Sequence, residues 1–221
     1  MRRNNFLYLL VALMVLAFLS PLMAVRFGVP GGFLADVSVS LALVVALWSL
    51  RSSRRVFIGG LTLISVYIFA TFAWMILDQP LARATAHLAA LAFLAVTAVL
   101  AMDAILRPGA VDLNKVVGAI CVYLLFGLAW SEAYQLLHYF DPASFSGVDL
   151  HTGHALSWRF LYFSFVTLTT LGYGDVLPLT IYAQSLTVME TVVGQVYLAV
   201  LVAALVSAYL SEEKGDSETR V

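Results

Sequence analysis

The sequence predicts an all-α integral membrane protein with six transmembrane helices and one shorter apolar segment that enters the membrane without crossing it. Of its 221 residues, 62% are hydrophobic and only 11% are charged, whereas a soluble domain carries about 25% charged residues. Six apolar segments reach the length of about 20 residues that a membrane-spanning helix needs. They cover residues 6–25, 31–50, 56–77, 83–105, 115–138 and 181–210.

The composition also excludes several classes of function. The net charge is −1 and no basic stripe is present, which argues against a nucleic-acid partner. Motifs such as C-x-x-C, H-E-x-x-H and G-x-S-x-G, which mark redox, metal and nucleophile sites, do not occur. A membrane enzyme would need a polar catalytic cluster at depth, so we expect neither enzymatic activity nor a cofactor.

The basic residues predict the orientation of the helices. If the N-terminus is cytoplasmic, six spans leave both ends in the cytoplasm, with nine of the twelve lysines and arginines inside, as the positive-inside rule requires. The RSSRR block at residues 51–55 is the strongest marker. Met1–Ala24 is alternatively a cleaved signal peptide, but its apolar stretch exceeds the usual length of about 7–15 residues. We therefore expect a retained first span.

A polar, glycine-containing run interrupts the apolar sequence before the last span. It follows the apolar segment 158–169, which as a helix would cover only about 18 Å and so predicts a re-entrant helix. Alternate glycines reach positive φ without steric cost, which can turn successive carbonyls toward one axis, where they replace the hydration shell of a cation. One chain supplies a quarter of such a ring, so four copies are expected. The residues concerned are Thr170, Leu171, Gly172, Tyr173 and Gly174.

The sequence TLGYGD, preceded by YFSFVTLT, resembles the selectivity filter and pore helix of tetrameric potassium channels. The resemblance covers residues 115–210 and implies a homotetramer in the cell membrane, in contact with lipid, that conducts potassium passively. Potassium ions would bind at the filter carbonyls. Leu171 stands where valine is commoner in the family, but its carbonyl is unchanged, so we expect selectivity to survive. A weakly selective cation channel is the alternative, because selectivity depends on the rigidity of the filter as well as on its sequence. A secondary transporter is less favoured because only one interrupted segment is present.

The resemblance assigns supporting roles to three residues near the filter. Asp175 follows the filter at its external mouth, where four copies would form a carboxylate ring or anchor the loop. Tyr162, 13 residues earlier, is the expected hydrogen-bond partner of Asp175. Glu132 is expected to bind backbone amides of the loop behind the filter, and the alternative is a lipid-facing glutamate.

Glu190 lies about ten residues into the last span. At that depth an unpaired charge costs several kcal/mol. We therefore interpret Glu190 as a brace that bonds to hydroxyls of the pore helix, such as Ser164, Thr167 or Thr169. An ion site is the alternative.

The last span also carries candidate gating residues. Gly194 lies 20 residues after Gly174 and is either a hinge, as the resemblance implies, or a site of close helix packing. Four further residues follow a 3-4-4 spacing that places them on one helical face, which by the resemblance lines the cavity below the filter. They are Gln195, Leu198, Val202 and Val206.

The chain is thereby divided into three parts. Residues 1–110 form a four-span peripheral membrane domain, and its fourth span has an uncharged middle, unlike a voltage sensor with three or four gating arginines. Residues 111–210 form the pore domain, with outer helix 115–138, pore helix 158–169, filter 170–174 and inner helix 181–210. Residues 211–221 form a short acidic cytoplasmic tail, so no cytoplasmic ligand-binding domain is expected. The gating stimulus is left open.

Overall fold

The structure of the chain is a computed structural model built almost entirely of helices. It describes residues 6–19, 22, 26, 43–45, 54–77, 79–106, 113–148 and 155–218. The helices are α1 (Phe6–Met14), continued by a π-helical turn (Val15–Leu19), α2 (Arg54–Leu77), α3 (Pro80–Leu106), α4 (Leu113–Phe140), α5 (Ala155–Leu168) and α6 (Ile181–Glu218). A 3-10 turn (Pro142–Ser144) precedes β1 (Phe145–Ser146), which pairs antiparallel with β2 (Leu177–Pro178).

In the described part of the chain, four helices are long and apolar enough to cross a membrane: Phe57–Leu77, Leu81–Leu106, Leu113–Phe140 and Ile181–Ala204. They confirm the third, fourth, fifth and last predicted spans as membrane-capable helices. The first predicted span corresponds to the shorter apolar helix Phe6–Leu19. The second, 31–50, lies outside the described residues except for 43–45, so the count of six spans stays a prediction.

Several predicted boundaries differ from the structure. α4 extends two residues beyond each end of the predicted outer helix 115–138. α5 begins three residues before the predicted start and contains 14 residues, which cover about 21 Å, so it remains too short to cross a bilayer. α6 continues to Glu218, whereas the prediction ended the inner helix at residue 210. The segment after that point, SEEK, contains good helix formers, so most of the predicted tail prolongs the last helix.

The N-terminal helices pack on the outside of α4. α3 lies between α2 and α4, and its buried face is rich in alanine, including Ala86, Ala90 and Ala101, which lets helices in a membrane approach closely. α1 packs on α4 where the Phe6 ring lies against Gly118, and a Cβ atom at Gly118 would come within 2.9 Å of that ring. The Phe6 amide also donates to Asn114 Oδ1 at 3.3 Å.

The short helix α5 packs against α4 and α6. An aromatic core surrounds its outer half, where the ring centroids of Tyr134 and Phe163 are 5.0 Å apart and those of Phe145 and Phe160 are 5.1 Å apart. The β1–β2 pair joins the loop after α4 to the loop after the filter. Together they fix the position of the segment between α5 and α6.

Candidate functional site

The segment after α5 has an alternating backbone. Thr170, Gly172 and Gly174 have positive φ angles of 59°, 59° and 77°, and the intervening Leu171 and Tyr173 do not. Glycine adopts this conformation without steric cost. The structure therefore has the alternation that the sequence pattern predicts for a carbonyl-lined path.

Thr170 is the strained residue of this segment. A β-branched residue at positive φ is a genuine outlier, and strain of this kind persists only where the surrounding structure holds it. Here the Thr170 amide donates to the carbonyl of Thr167 at 2.9 Å, and the Thr170 hydroxyl donates to the carbonyl of Thr169 at 2.7 Å. The end of α5 thus holds Thr170 in its unusual conformation.

The C-terminal end of α5 supports the base of the segment. The carbonyl of Val166 accepts hydrogen bonds from the amides of Leu171 at 2.9 Å and Gly172 at 3.2 Å. The last carbonyls of a helix lack partners within the helix, so these bonds satisfy one of them. The same helix end carries a partial negative charge, which favours a cation beside Thr170.

At the outer end of the segment, Asp175 pairs with Arg159 of α5. Arg159 Nη1 lies 3.4 Å from Asp175 Oδ2, and the Arg159 guanidinium lies over the Tyr162 ring at 5.9 Å. Arg159, which the sequence prediction did not include, therefore contacts both members of the predicted Tyr162–Asp175 pair. A direct hydrogen bond between Tyr162 and Asp175 stays a prediction.

Arg159 also bonds to Gly147, the residue that follows β1. Its Nη2 donates to the carbonyl of Gly147 at 2.9 Å. Gly147 has a φ of 76°, and a Cβ atom there would lie 1.9 Å from the carbonyl oxygen of Asp175, so only glycine fits. Sequence reasoning missed both residues. For Arg159, the available signal was its position in the second turn of α5. The helix dipole disfavours a cation near the N-terminal end of a helix, so an acidic partner is needed.

Glu190 is fully buried within a single chain and joins three helices. Its Oε1 lies 2.5 Å from the Ser164 hydroxyl on α5, and Tyr134 on α4 bonds to its Oε2. Ser164 also lies 2.7 Å from the carbonyl of Gly127 on α4. Ser164 is one of the three hydroxyls expected for Glu190. Tyr134, 56 residues away in sequence, was missed because no local pattern connects the two.

Gly194 lies one helical turn after Glu190 and contacts the last residue of α5. A Cβ atom at Gly194 would lie 2.7 Å from Leu168 Cδ1 and 2.9 Å from the Leu168 carbonyl oxygen. That carbonyl also accepts from the Tyr123 hydroxyl at 3.1 Å. α6 continues as a helix through this position. The structure thus supplies a close-packing reason for Gly194, and a hinge there stays a prediction.

Glu132 has a different partner from the one that the resemblance implied. Its Oε2 lies 2.8 Å from His87 Nδ1 on α3, so it joins the peripheral helices to α4 rather than bracing the filter. The physical reason is the antiparallel packing of α3 and α4, which brings the start of one beside the end of the other. In the same region the Arg83 guanidinium lies over the Trp74 ring at 5.1 Å.

The predicted cavity residues lie along α6. Gln195 and Val202 are exposed in the single chain and Leu198 is half-buried. The side chain of Val206 lies outside the described part of the structure. No contact distinguishes a cavity lining from a lipid-facing surface here, so this role stays a prediction.

Residues 116–211 match a protein-family model described as "Ion channel". The match covers nearly all of α4, the whole of α5, the filter-like segment and α6 up to Ser211. No curated protein and no solved structure matches the chain. The family match supports an ion channel domain, and the four membrane-capable helices support a membrane protein.

Proposed function

We propose that the ion channel domain of this protein is a potassium-selective pore. Four copies of the chain would surround one axis, and potassium would pass down its gradient through a filter made by Thr170–Gly174. The filter carbonyls and the Thr170 hydroxyl would replace the water around each dehydrated ion. In this proposal the ion is the permeant substrate and no cofactor takes part.

The observation that carries the proposal is the positive φ at every second residue from Thr170 to Gly174. A Schellman end to α5 accounts for the positive φ of Thr170 and for the hydrogen bonds to Thr167 and Val166. It does not account for the positive φ at Gly172 and Gly174. Two further glycines at alternate positions favour a segment that presents its backbone carbonyls.

Assembly into a tetramer is supported by the exposure of the filter in a single chain. Leu171 is 55% exposed and Tyr173 is 65% exposed in the single chain. Apolar side chains in the first half of α6, such as Val188 and Met189, are also more than half exposed. Neighbouring copies of the chain would cover these side chains and complete the ring that one chain only begins.

The position in the membrane follows from the basic residues. We place the protein in the cell membrane with both termini in the cytoplasm, which puts Asp175 and the β1–β2 loop on the external side. The peripheral helices α2 and α3 then lie outside the pore. α3 contacts the pore domain through α4.

A weakly selective cation channel is the second candidate, and Leu171 is the observation that favours it. Its carbonyl is that of any residue, but its side chain is larger than the commoner valine. Packing behind the filter therefore differs, and selectivity depends on how rigidly the carbonyls are held.

Reversal potentials of the purified protein in liposomes test the proposal. With potassium on one side and sodium on the other, we expect reversal near the potassium equilibrium potential. Reversal near zero would establish the weakly selective alternative. Native mass measurement of the same sample gives the number of subunits. An intact tetramer that carries no current under any tested stimulus would contradict channel function, and a monomer or dimer would contradict the shared filter.

A further inference from the structure

The hydrogen bonds around Glu190 require more protons than the neighbouring hydroxyl group supplies. Ser164 Oγ lies 2.7 Å from the carbonyl oxygen of Gly127 and 2.5 Å from Glu190 Oε1. A backbone carbonyl accepts hydrogen bonds and never donates, and a serine hydroxyl has one proton. If Ser164 donates to Gly127, its contact with Glu190 needs a proton from the carboxyl group.

The other oxygen of Glu190 has a donor of its own. Tyr134 is also buried, and its hydroxyl donates to Oε2. The two carboxyl oxygens therefore have different surroundings. Oε2 faces a donor, whereas Oε1 faces a hydroxyl that has one proton and lies within hydrogen-bond distance of both Oε1 and the Gly127 carbonyl.

Among the described residues, no cation compensates a charge on Glu190. In the described part of the chain, no lysine, arginine or histidine side chain pairs with Glu190. Because Glu190 is fully buried within one chain, a neighbouring copy could not reach it either. An ionised carboxylate without a cation partner at this depth would cost several kcal/mol.

We infer that Glu190 is a neutral carboxylic acid that carries its proton on Oε1 and positions α5 behind the filter. Glu190 Oε1–H donates to Ser164, Ser164 donates to the carbonyl of Gly127, and Tyr134 donates to Glu190 Oε2. Each of these polar atoms then has a partner, as buried polar groups require. The chain of bonds joins α4, α5 and α6 without a buried charge.

The bonds that join Glu190 to Ser164 and Tyr134, called the Glu190 clamp, lie close to the backbone that supports the filter. Ser164 precedes Val166 by two residues, and the Val166 carbonyl accepts the amides of Leu171 and Gly172. A displacement of Ser164 would therefore move the backbone that holds the start of the filter. This consequence rests on the proposed channel function, whereas the protonation state of Glu190 does not.

Infrared spectroscopy of the purified full-length protein in lipid tests the protonation state. At neutral pH we expect the carbonyl stretch of a protonated carboxylic acid in the wild-type protein and its loss in Glu190→Gln. The matched control is Glu132→Gln, which removes another glutamate at a helix–helix contact and should keep the band. A wild-type spectrum without this band, or a band that survives in Glu190→Gln, would overturn the inference.

A second variant covers the case in which Glu190→Gln fails to fold. In Tyr134→Phe the carboxyl group keeps its proton and loses the hydrogen bond at Oε2, so its carbonyl stretch should move to higher frequency. An unmoved band would show that the protonated group is not Glu190 and would overturn the inference.

Ion flux then tests the positioning role. A glutamine amide donates to Ser164 and accepts from Tyr134 as a neutral acid does, so Glu190→Gln should keep the flux and selectivity of the wild type, whereas Glu190→Ala should lose both. Equal losses in the two variants would indicate a needed charge and contradict a neutral clamp. If the wild type itself carries no current, the infrared result still decides the protonation state, so failure of the two proposals can be distinguished.

Discussion

The peripheral helices α2 and α3 use hydroxyl groups differently from the proposed pore region, which comprises α4, α5 and α6. In α2 and α3, hydroxyls bond to carbonyls of their own helix, as Ser65 does to Leu61 at 2.9 Å and Thr85 does to Leu81 at 2.8 Å. In the pore region, hydroxyls also cross between helices, as Tyr197 on α6 does to the carbonyl of Ala119 on α4 at 2.7 Å. The pore region is therefore joined by directional bonds between its helices.

The buried polar residues show the same division. Thr97 is the buried polar residue of the described parts of α2 and α3. The others among the described residues lie between α4 and α6. They are Ser131, Gln135, His138, Ser144, Ser164, Thr167 and Glu190.

This difference shows that the chain attaches its peripheral helices by apolar contacts and fixes the relative positions of α4, α5 and α6 by hydrogen bonds. Small apolar residues bring membrane helices together closely, but their contacts do not fix a unique position as hydrogen bonds do. Gln135 Oε1 and His138 Nδ1 are buried without a hydrogen-bond partner in the described part of the chain, whereas Glu190, Ser164 and Tyr134 bond to one another. Buried polar networks that are satisfied in this way rigidify and specify one arrangement. The arrangement of polar groups around α5 thus indicates where the position of the backbone matters most.

The largest effect is expected from Gly172→Ala. A side chain at a φ of 59° is strained by about 1–3 kcal/mol, and each tetramer would contain four such sites, so we expect potassium flux in liposomes to be lost. The matched control from the peripheral helices is Gly59→Ala, where an added Cβ atom meets no atom within 4 Å and flux should be unchanged. If the two variants behave alike, the filter backbone does not differ from an ordinary helix.

Gly194→Ala should have the next largest effect. The new methyl group would meet the carbonyl oxygen and side chain of Leu168 at 2.9 and 2.7 Å, and overpacking of this kind costs about 1–3 kcal/mol. We expect a lower melting temperature and reduced flux. Val193→Ala changes the adjacent, partly exposed side chain and serves as the control. An unchanged melting temperature for Gly194→Ala would show that α5 and α6 can move apart enough to accommodate the methyl group without loss of stability.

The pair His87 and Glu132 measures how the two regions are coupled. Both side chains are mostly buried, and a double-mutant cycle with His87→Ala and Glu132→Gln should give a coupling energy of about 1 kcal/mol in unfolding measurements. The reversal potential should not change, because Glu132 pairs with the peripheral helix α3 and not with the filter segment. Loss of potassium selectivity in either variant would instead assign Glu132 the filter-supporting role that the resemblance implied.

The smallest effect is expected from Arg159→Gln. The pair with Asp175 is partly exposed, so its contribution to stability is below about 1 kcal/mol. Removal of the positive charge leaves the external mouth more negative, which should raise potassium current at low ionic strength and leave it unchanged at high salt. Arg159→Lys keeps the charge and should match the wild type. A lower current at every salt concentration would show that Arg159 acts on the filter structure rather than on the local potential.

Sequence reasoning succeeded where the chemistry is local. Hydropathy identifies four helices that the structure bears out as long enough to cross a membrane, because about 20 consecutive apolar residues suffice for that inference. The positive φ angles of Gly172 and Gly174 follow from the residue type at those positions. The positive φ of Thr170 depends instead on the end of α5.

The end of the last helix shows the limit of that reasoning. The apolar pattern ends near residue 210, but α6 continues through polar residues to Glu218. Hydropathy measures the length of chain that a membrane can hold, and helix propensity decides how far the helix goes on in water. The two lengths need not agree.

The sequence by itself determined the membrane class of the protein, the short apolar helix α5 and the filter-like segment, because each depends on residues that are neighbours in the chain. Only the tertiary structure decided the partners of those elements. Glu132 pairs with His87 across 45 residues, and Glu190 bonds to Tyr134 across 56 residues. Such pairs depend on which helices pack side by side and at what depth. A one-dimensional pattern identifies a buried acid as costly, but it contains no information on which distant hydroxyl group satisfies that acid.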